Sequence, residues 1–322
     1  KHDIGVLSAS TAFGKTVIGA YLIAERKVNT LILVHRRQLM EQWVARLDTF
    51  LDIGSSNFGM IGGGRKKPTG KIDVALVQSL CRKGIVDDLV GNYGQMIVDE
   101  CHRISAPSFE LVARYCKSKY LTGLSATVTR KDGHHPIIFM QLGPLRHKVS
   151  DREQASLRPF THEVILRETG LKLDLPGEVG NTPIHEVYAA LLSAEDRDRL
   201  IADDVLDCVG KGRSPLVLTE RREHLDRLKG MLSGSQAKVV VLTGGMGRKK
   251  LRATLEELNR CEDNEKLIVL ATGRFIGEGF DLSRLDTLFL AMPISWRGTL
   301  SQYAGRLHRL HYAKTKVIVY DY

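Results

Sequence analysis

Short runs of apolar and β-branched residues, separated by stretches of helical periodicity, recur along the whole chain and constrain its fold more than any other feature. They fall at residues 4–7, 30–34, 72–77, 95–98 and 120–124, and again at 215–218, 238–242, 267–270, 287–290 and 316–320. Helical patterns at 15–26, 37–50 and 107–117 lie between them. A strand that is apolar on both faces must be covered on both, so the pattern predicts parallel sheets flanked by helices, an α/β fold. A chain of 322 residues exceeds a comfortable single core, and the rhythm occupies both halves, which predicts two domains, 1–150 and 151–322. The stretch 143–161, charged and broken by Pro144 and Pro159, reads as the connection. A second irregular stretch, 170–183, precedes an acidic helix expected over 184–209.

The formal charge of +10 is uneven: residues 1–150 carry 21 Lys and Arg against 12 Asp and Glu, and the rest carry 26 against 25. The first half is therefore the better candidate for a polyanion surface. Cys81, Cys101, Cys116, Cys208 and Cys261 are odd in number and lack paired spacing, which argues against a disulfide framework and a zinc site. A reducing, cytoplasmic compartment is expected, bacterial cytoplasm or nucleoid. No apolar run approaches membrane-spanning length. Residue 1 falls almost inside the first strand, so the sequence reads as an excerpt of a longer polypeptide with further domains.

Two strand ends carry chemistry. After the run 4–7 comes Thr11-Ala12-Phe13-Gly14-Lys15-Thr16, opening the first helical pattern. The strict phosphate-loop pattern has glycine where Ala9 stands, a small departure. A glycine turn between strand and helix supplies backbone N–H groups to phosphates, Lys15 reaches the β/γ-phosphates, and the Thr16 hydroxyl suits Mg²⁺. After the run 95–98 comes Asp99-Glu100-Cys101-His102. Asp99 is placed to hold the ion and Glu100 to orient or deprotonate the attacking water. Alone, such an acidic pair is more often two solvated carboxylates, and a lone histidine after a strand is more often a loop residue.

With these residues the chain resembles the superfamily 2 helicases and translocases of the DExH type, over nearly its whole length. Motif I is Ala12-Phe13-Gly14-Lys15-Thr16, motif Ia Val34-His35-Arg36-Arg37-Gln38-Leu39, motif II Asp99-Glu100-Cys101-His102 and motif III Ser125-Ala126-Thr127, with a T-x-Q-S-like segment at Val77-Gln78-Ser79-Leu80. In the second half, motif IV resembles Val217-Leu218-Thr219-Glu220-Arg221-Arg222, followed by Thr243-Gly244-Gly245. Motif V runs from Ala271-Thr272-Gly273 to Gly279-Phe280-Asp281, and motif VI is Gln302 to Arg309. The wording Phe13-Gly14-Lys15-Thr16, Asp99-Glu100-Cys101-His102-Arg103 and Arg130-Lys131-Asp132-Gly133 points within the superfamily to the XPB-like branch and related bacterial DNA-processing helicases.

The resemblance implies two tandem RecA-like domains, each a mainly parallel sheet flanked by helices, with ATP between them and nucleic acid across their top. Catalysis falls to Glu100, Asp99, Lys15, Gln302, Arg306 and Arg309. ATP would be bound by Thr11 to Thr16 with Gly279 and Asp281, and Mg²⁺ by Thr16 and Asp99. His102, Ser125 and Thr127 couple the domains. Nucleic acid, DNA rather than RNA, would meet His35, Arg36, Arg37, Gln78, Ser79, Thr219, Arg221, Thr243, Gly244, Gly245 and Thr272. The basic turn from Gly62-Gly63-Gly64 to Arg65-Lys66-Lys67 is equally well a phosphate contact or a solvated turn. The adenine-contacting segment would lie upstream of residue 1. A nucleic-acid-binding scaffold with a vestigial ATPase is the alternative, disfavoured by the intact Glu100, Gln302, Arg306 and Arg309. A GTPase would need an N-K-x-D guanine reader, which is absent.

Overall fold

The computed structural model describes residues 2–9, 13–103, 106–126, 136–150, 158–171, 184–273, 282–294 and 297–322. The chain forms two compact units, Lys1–Leu157 and Arg158–Tyr322.

The first unit contains β1 (Ile4–Ser8), α1 (Lys15–Arg26), β2 (Thr30–Val34), α2 (Arg37–Leu51), β3 (Phe58–Gly62), β4 (Arg65–Lys67), β5 (Ile72–Leu76) and α3 (Val77–Leu80). A small hairpin follows, β6 (Cys81–Arg82) with β7 (Ile85–Val86), then β8 (Gln95–Asp99), α4 (Ala106–Tyr115), β9 (Tyr120–Ser125), α5 (Pro136–Leu142) and β10 (Leu145–Lys148). The sheet order is β10-β1-β9-β8-β2-β5-β3-β4, and every pairing is parallel except β3 with β4. Successive residues of one strand feed different cores: Leu31 and Leu33 pack with Met96, Val98 and Phe109, while Ile32 and Val34 pack with Ile97, Met40 and Trp43. This is why the strands are apolar throughout.

The second unit contains β11 (Thr161–Leu166), α6 (Ile184–Leu192), α7 (Glu195–Gly210), β12 (Pro215–Thr219), α8 (Arg222–Leu232), β13 (Lys238–Leu242), α9 (Arg248–Arg260), β14 (Leu267–Thr272), β15 (Thr287–Leu290), α10 (Arg297–Leu307) and β16 (Lys316–Asp321). Its six strands are all parallel, in the order β11-β16-β15-β12-β14-β13.

Two local expectations differ from the structure. The acidic helix expected over 184–209 is two helices, separated by a turn in which Ser193 N and Ala194 N donate to Ala190 O and Leu191 O. Part of the expected connection is β10, paired in parallel with β1; all four of its residues are exposed, so no apolar pattern marked it.

Asp73 shows how a charge is tolerated in this core. It is fully buried, yet its carboxylate accepts bonds from Thr69 N and Oγ1, Gly70 N and the Tyr93 hydroxyl. The carboxylate in turn raises the Tyr93 phenol, adding to the effect of burial. Removing it strands the buried Tyr93 hydroxyl and releases the loop at Thr69 and Gly70, so Asp73→Ala is expected to cost about 3 kcal/mol, read from the urea midpoint of the first unit's unfolding.

Candidate nucleotide site and nucleic-acid face

Parallel pairing in register aligns the ends of three neighbouring strands. Ser8 of β1 lies beside Ser125 of β9, and Leu124 beside Asp99 of β8. Beyond them, Ala9 N donates to Ser125 O at 2.8 Å. The C-terminal edge of a parallel sheet is where loops can build a ligand crevice, and the candidate residues gather there.

Gly14 takes a left-handed conformation (φ 99°) at the start of α1, where an L side chain would be strained. Among the described residues no side chain caps this helix, and no acid occupies its first turn, so its terminal N–H groups suit an anion. Lys15 turns its ammonium back over the strand ends, 3.0 Å from Glu100 Oε1 and 3.4 Å from Ala9 O. Glu100 itself has φ 48°, an uncommon conformation for a non-glycine residue. Its second oxygen lies 3.4 Å from His102 Nδ1, which also bonds Ser125 Oγ at 2.7 Å. Motifs II and III are therefore joined through one imidazole.

Asp99 is held from two sides: Trp43 Nε1 donates to Oδ2 at 2.7 Å, and Glu100 N to Oδ1 at 3.0 Å. Trp43 was absent from the sequence candidates. It shares the inward face of α2 with Met40 and Leu47, which reads as ordinary core. Gly19 of α1 makes room for its indole, because a Cβ there would lie 2.6 Å from Trp43 Cη2. Burial pushes the Asp99 carboxyl up to about 6, with the Glu100 charge adding to it, while Lys15 and the Trp43 N–H oppose the shift. Burial likewise raises the Cys101 thiol to about 12, which keeps it protonated and unreactive. A buried carboxylate of this kind, beside a helix N-terminus and a lysine, fits a divalent cation and phosphates, since a cation would offset the adjoining Asp99 and Glu100 charges and phosphate the Lys15 ammonium.

Most of the described nucleic-acid candidates follow strands, at the C-terminal edges of the two sheets. Arg36 occupies the position just before α2, and Arg37 reaches from its first turn to Gly63 O at 3.0 Å. Gln78 and Ser79 form α3, directly after β5. A groove of about 580 Å³ opens between the turn 62–64 and the β6–β7 hairpin, with Arg65, Ser79 and Arg82 on its walls. In the second unit, Gly244 N donates to Thr272 Oγ1 at 3.1 Å and Arg222 donates to Gly244 O at 3.0 Å, which brings Thr243, Gly244, Gly245 and Thr272 together. Arg221 is exposed and lies over the Tyr188 ring. Thr219, in contrast, is buried: its hydroxyl bonds His224, whose other nitrogen bonds Asp198, so it sits in the core and not on the surface. Gly273 is hemmed in by motifs IV and VI, as a Cβ there would lie 2.2 Å from Glu220 Oε1 and 2.3 Å from the Tyr303 hydroxyl. Gln302, Arg306 and the residue before Arg309's turn, Leu307, belong to the α10 segment. Thr11, Ala12, Thr127, Gly279 and Asp281 lie outside the described residues.

The Asp99 value has a consequence for stability. Because the folded-state value lies above the ordinary 3.8, the group stabilises the fold at acid pH, and that contribution is lost as the pH rises through about 6. Asp99→Asn keeps an acceptor for Trp43 and removes the charge. It is expected to raise the stability of the nucleotide-free chain by about 2 kcal/mol at pH 8, shrinking towards zero by pH 4, as measured by urea unfolding across pH.

The arrangement agrees with comparisons to known proteins. Residues 1–130 match the family model of the type III restriction enzyme res subunit, and residues 198–311 match the helicase conserved C-terminal domain. L396 of Acanthamoeba polyphaga mimivirus, provisionally named an ATP-dependent RNA helicase, is 26% identical over 98% of this chain and 59% of its own length. The DNA 3'-5' translocase XPB2 of Sulfurisphaera tokodaii is 30% identical over 48% of this chain and 34% of its own. The chain thus spans between a third and three-fifths of the length of these two relatives. The structure of S. cerevisiae Dbp5 bound to RNA and ADP BeF3 superposes with a TM-score of 0.67 at 12% identity, over 99% of this chain and 79% of that one, a likeness of the two-domain RecA-like fold. Among the described residues no helix is long and apolar enough to cross a membrane. The ordered motifs, the two family models and the XPB relatives together place the chain among the superfamily 2 helicase cores, the XPB-like branch included.

Proposed function

We propose that this chain is the motor core of an ATP-dependent DNA translocase or helicase that uses Mg²⁺ and works in a reducing, cytoplasmic compartment. The observation that carries the reading is the convergence of Lys15, Asp99, Glu100 and the His102–Ser125 pair on adjoining strand ends. When bound, ATP supplies the phosphoanhydride bond and Mg²⁺ offsets its phosphate charge. In this reading the backbone of residues 11–14 and the N-terminus of α1 cradle the phosphates, and Thr16 with Asp99 holds the metal. Lys15 exchanges Glu100 for phosphate oxygen, and Glu100 then orients a water and takes its proton. His102, with Ser125 and Thr127, senses that exchange because it touches both Glu100 and Ser125. Gln302, Arg306 and Arg309 would supply cationic and polar contacts to the reacting phosphate, and Gly279 and Asp281 would contribute to ATP binding.

For the track we propose DNA, supported by the XPB relatives and by the net positive first half of the chain. The backbone-contacting surface would comprise His35, Arg36, Arg37, Gln78 and Ser79 in the first unit, with Arg221, Thr243, Gly244, Gly245 and Thr272 in the second. The 62–64 groove extends it. Arg65 and Arg82 on its walls supply cations that bind phosphates without reading sequence.

Lys15→Ala and Glu100→Gln are each expected to lower DNA-stimulated ATP turnover on the order of 100-fold or more, measured as phosphate release with single-stranded DNA, duplex DNA and RNA. Unchanged turnover in either variant would refute the site. Strand displacement on substrates tailed at either end, run in parallel, separates a helicase from a translocase that tracks duplex without opening it. The double substitution Arg65→Ser with Arg82→Ser is expected to weaken DNA binding and to reduce the slope of log affinity against log salt by about one per arginine. A fluorescence-anisotropy titration across salt concentrations reads both effects.

A further inference from the structure

Lys314 is a charged residue that the sequence motifs pass over. It lies just before β16, only 5% exposed. Its Nζ donates to three backbone carbonyls, Ser283 O at 2.7 Å, Leu307 O at 2.7 Å and Arg309 O at 2.9 Å. An ammonium has three N–H bonds, and here each has a carbonyl. Leu307 ends α10, the helix that carries Arg306, and Arg309 lies two residues further on. The last carbonyls of a helix lack intrahelical partners and carry partial negative charge, so a buried cation there both caps and orients the end. Ser283 lies just past the motif V segment, so one side chain ties the end of motif V to the end of motif VI.

A buried ammonium is costly unless fully bonded, and a solvated lysine would serve ordinary folding as well. The surroundings act in both directions. The Phe160 ring lies 5.7 Å from the Nζ, where its face attracts the ammonium, and its own neighbours are His162 and His308. Arg158 ahead of β11 and Arg213 ahead of β12 oppose the positive charge, and Asp286 ahead of β15 favours it. Burial is the largest influence and pushes the amine down to about 8; burial also pushes His308, beside it, down to about 4, so that the imidazole stays neutral.

We propose that Lys314 is a positioning residue for nucleotide turnover, locking the backbone at Leu307, Arg309 and Ser283 so that Arg306 and Arg309 are presented in a fixed register. It rests on the reading of those arginines as phosphate contacts given above. Lys314 touches no nucleotide in this scheme. Its effect passes through the carbonyls of the segment on which the arginines stand.

The test compares Lys314→Met, Lys314→Gln and Lys15→Ala with the unmodified chain, each checked for folding by circular dichroism and assayed at saturating DNA. Lys314→Met should lower kcat per folded molecule on the order of 10- to 100-fold, as for a misplaced catalytic group, with KM for ATP within about twofold. Lys314→Gln keeps two N–H donors and should fall between. In the unmodified chain kcat should decline as the pH rises through about 8, where the amine loses a proton and one carbonyl bond, and Lys314→Gln should lack that decline. A purely structural lysine would reduce the folded fraction while kcat per folded molecule and the pH profile stayed as in the unmodified chain, and that result overturns the proposal. So does a rise in KM with kcat retained. If Lys314→Met does not fold, Lys314→Gln decides by the same criteria. Turnover that is insensitive to Lys15→Ala would instead overturn the functional reading beneath it, and the proposal with it.

Discussion

The in-register parallel pairing of β1, β9 and β8 is the constraint on which the first unit's chemistry depends. It sets Ser8 beside Ser125 and Leu124 beside Asp99, so three loops leave the sheet at one level. Side chains alternate along a strand, and a slip of one residue would turn Asp99 to the opposite face and separate it from Trp43. The double-sided apolar packing resists such a slip, since both faces of β2 and β8 are filled by different cores. Core packing and site geometry are thus one requirement.

Electrostatics then give the site its poise. Burial is the main reason the Asp99 carboxyl lies well above its usual range, and the neighbouring Glu100 charge adds to it. The Lys15 ammonium and the Trp43 indole N–H restrain it without cancelling the effect. The left-handed Glu100 backbone aims its carboxylate towards Lys15 and His102 together. Groups held in this way gain from an incoming cation and phosphate, because a cation offsets the adjoining Asp99 and Glu100 charges and phosphate accepts from Lys15.

The second unit uses the same economy of contacts at its motif helix. Gly273 allows Glu220 and Tyr303 to close over the end of β14, and Lys314 holds the far end of α10 by its carbonyls. The C-terminal half of the helix that bears Arg306 is therefore approached at Tyr303 by motifs IV and V and held at its end by Lys314. A buried relay of Asp198, His224 and Thr219 anchors motif IV in a comparable way.

Much was legible from the chain alone. Doubly apolar runs such as Ile32 with Leu33 specify parallel, buried strands, and Gly14-Lys15-Thr16 specifies a phosphate-type turn, since both signals are local and follow from backbone geometry and burial. What the alternation of a run leaves open is which distant group meets which. The wholly exposed β10 carried no apolar mark, and it took pairing with β1 to reveal it. Thr219 looked like a surface hydroxyl and is a core one. Trp43 lies 56 residues from Asp99, and Lys314 lies 31 residues from Ser283. The sequence by itself determined the two α/β sheets and the residues gathered at their edges. Only the tertiary structure decided which buried donors restrain Asp99 and α10, because a hydrogen bond depends on approach and direction in space, and neither is encoded in the periodicity of a single strand or helix.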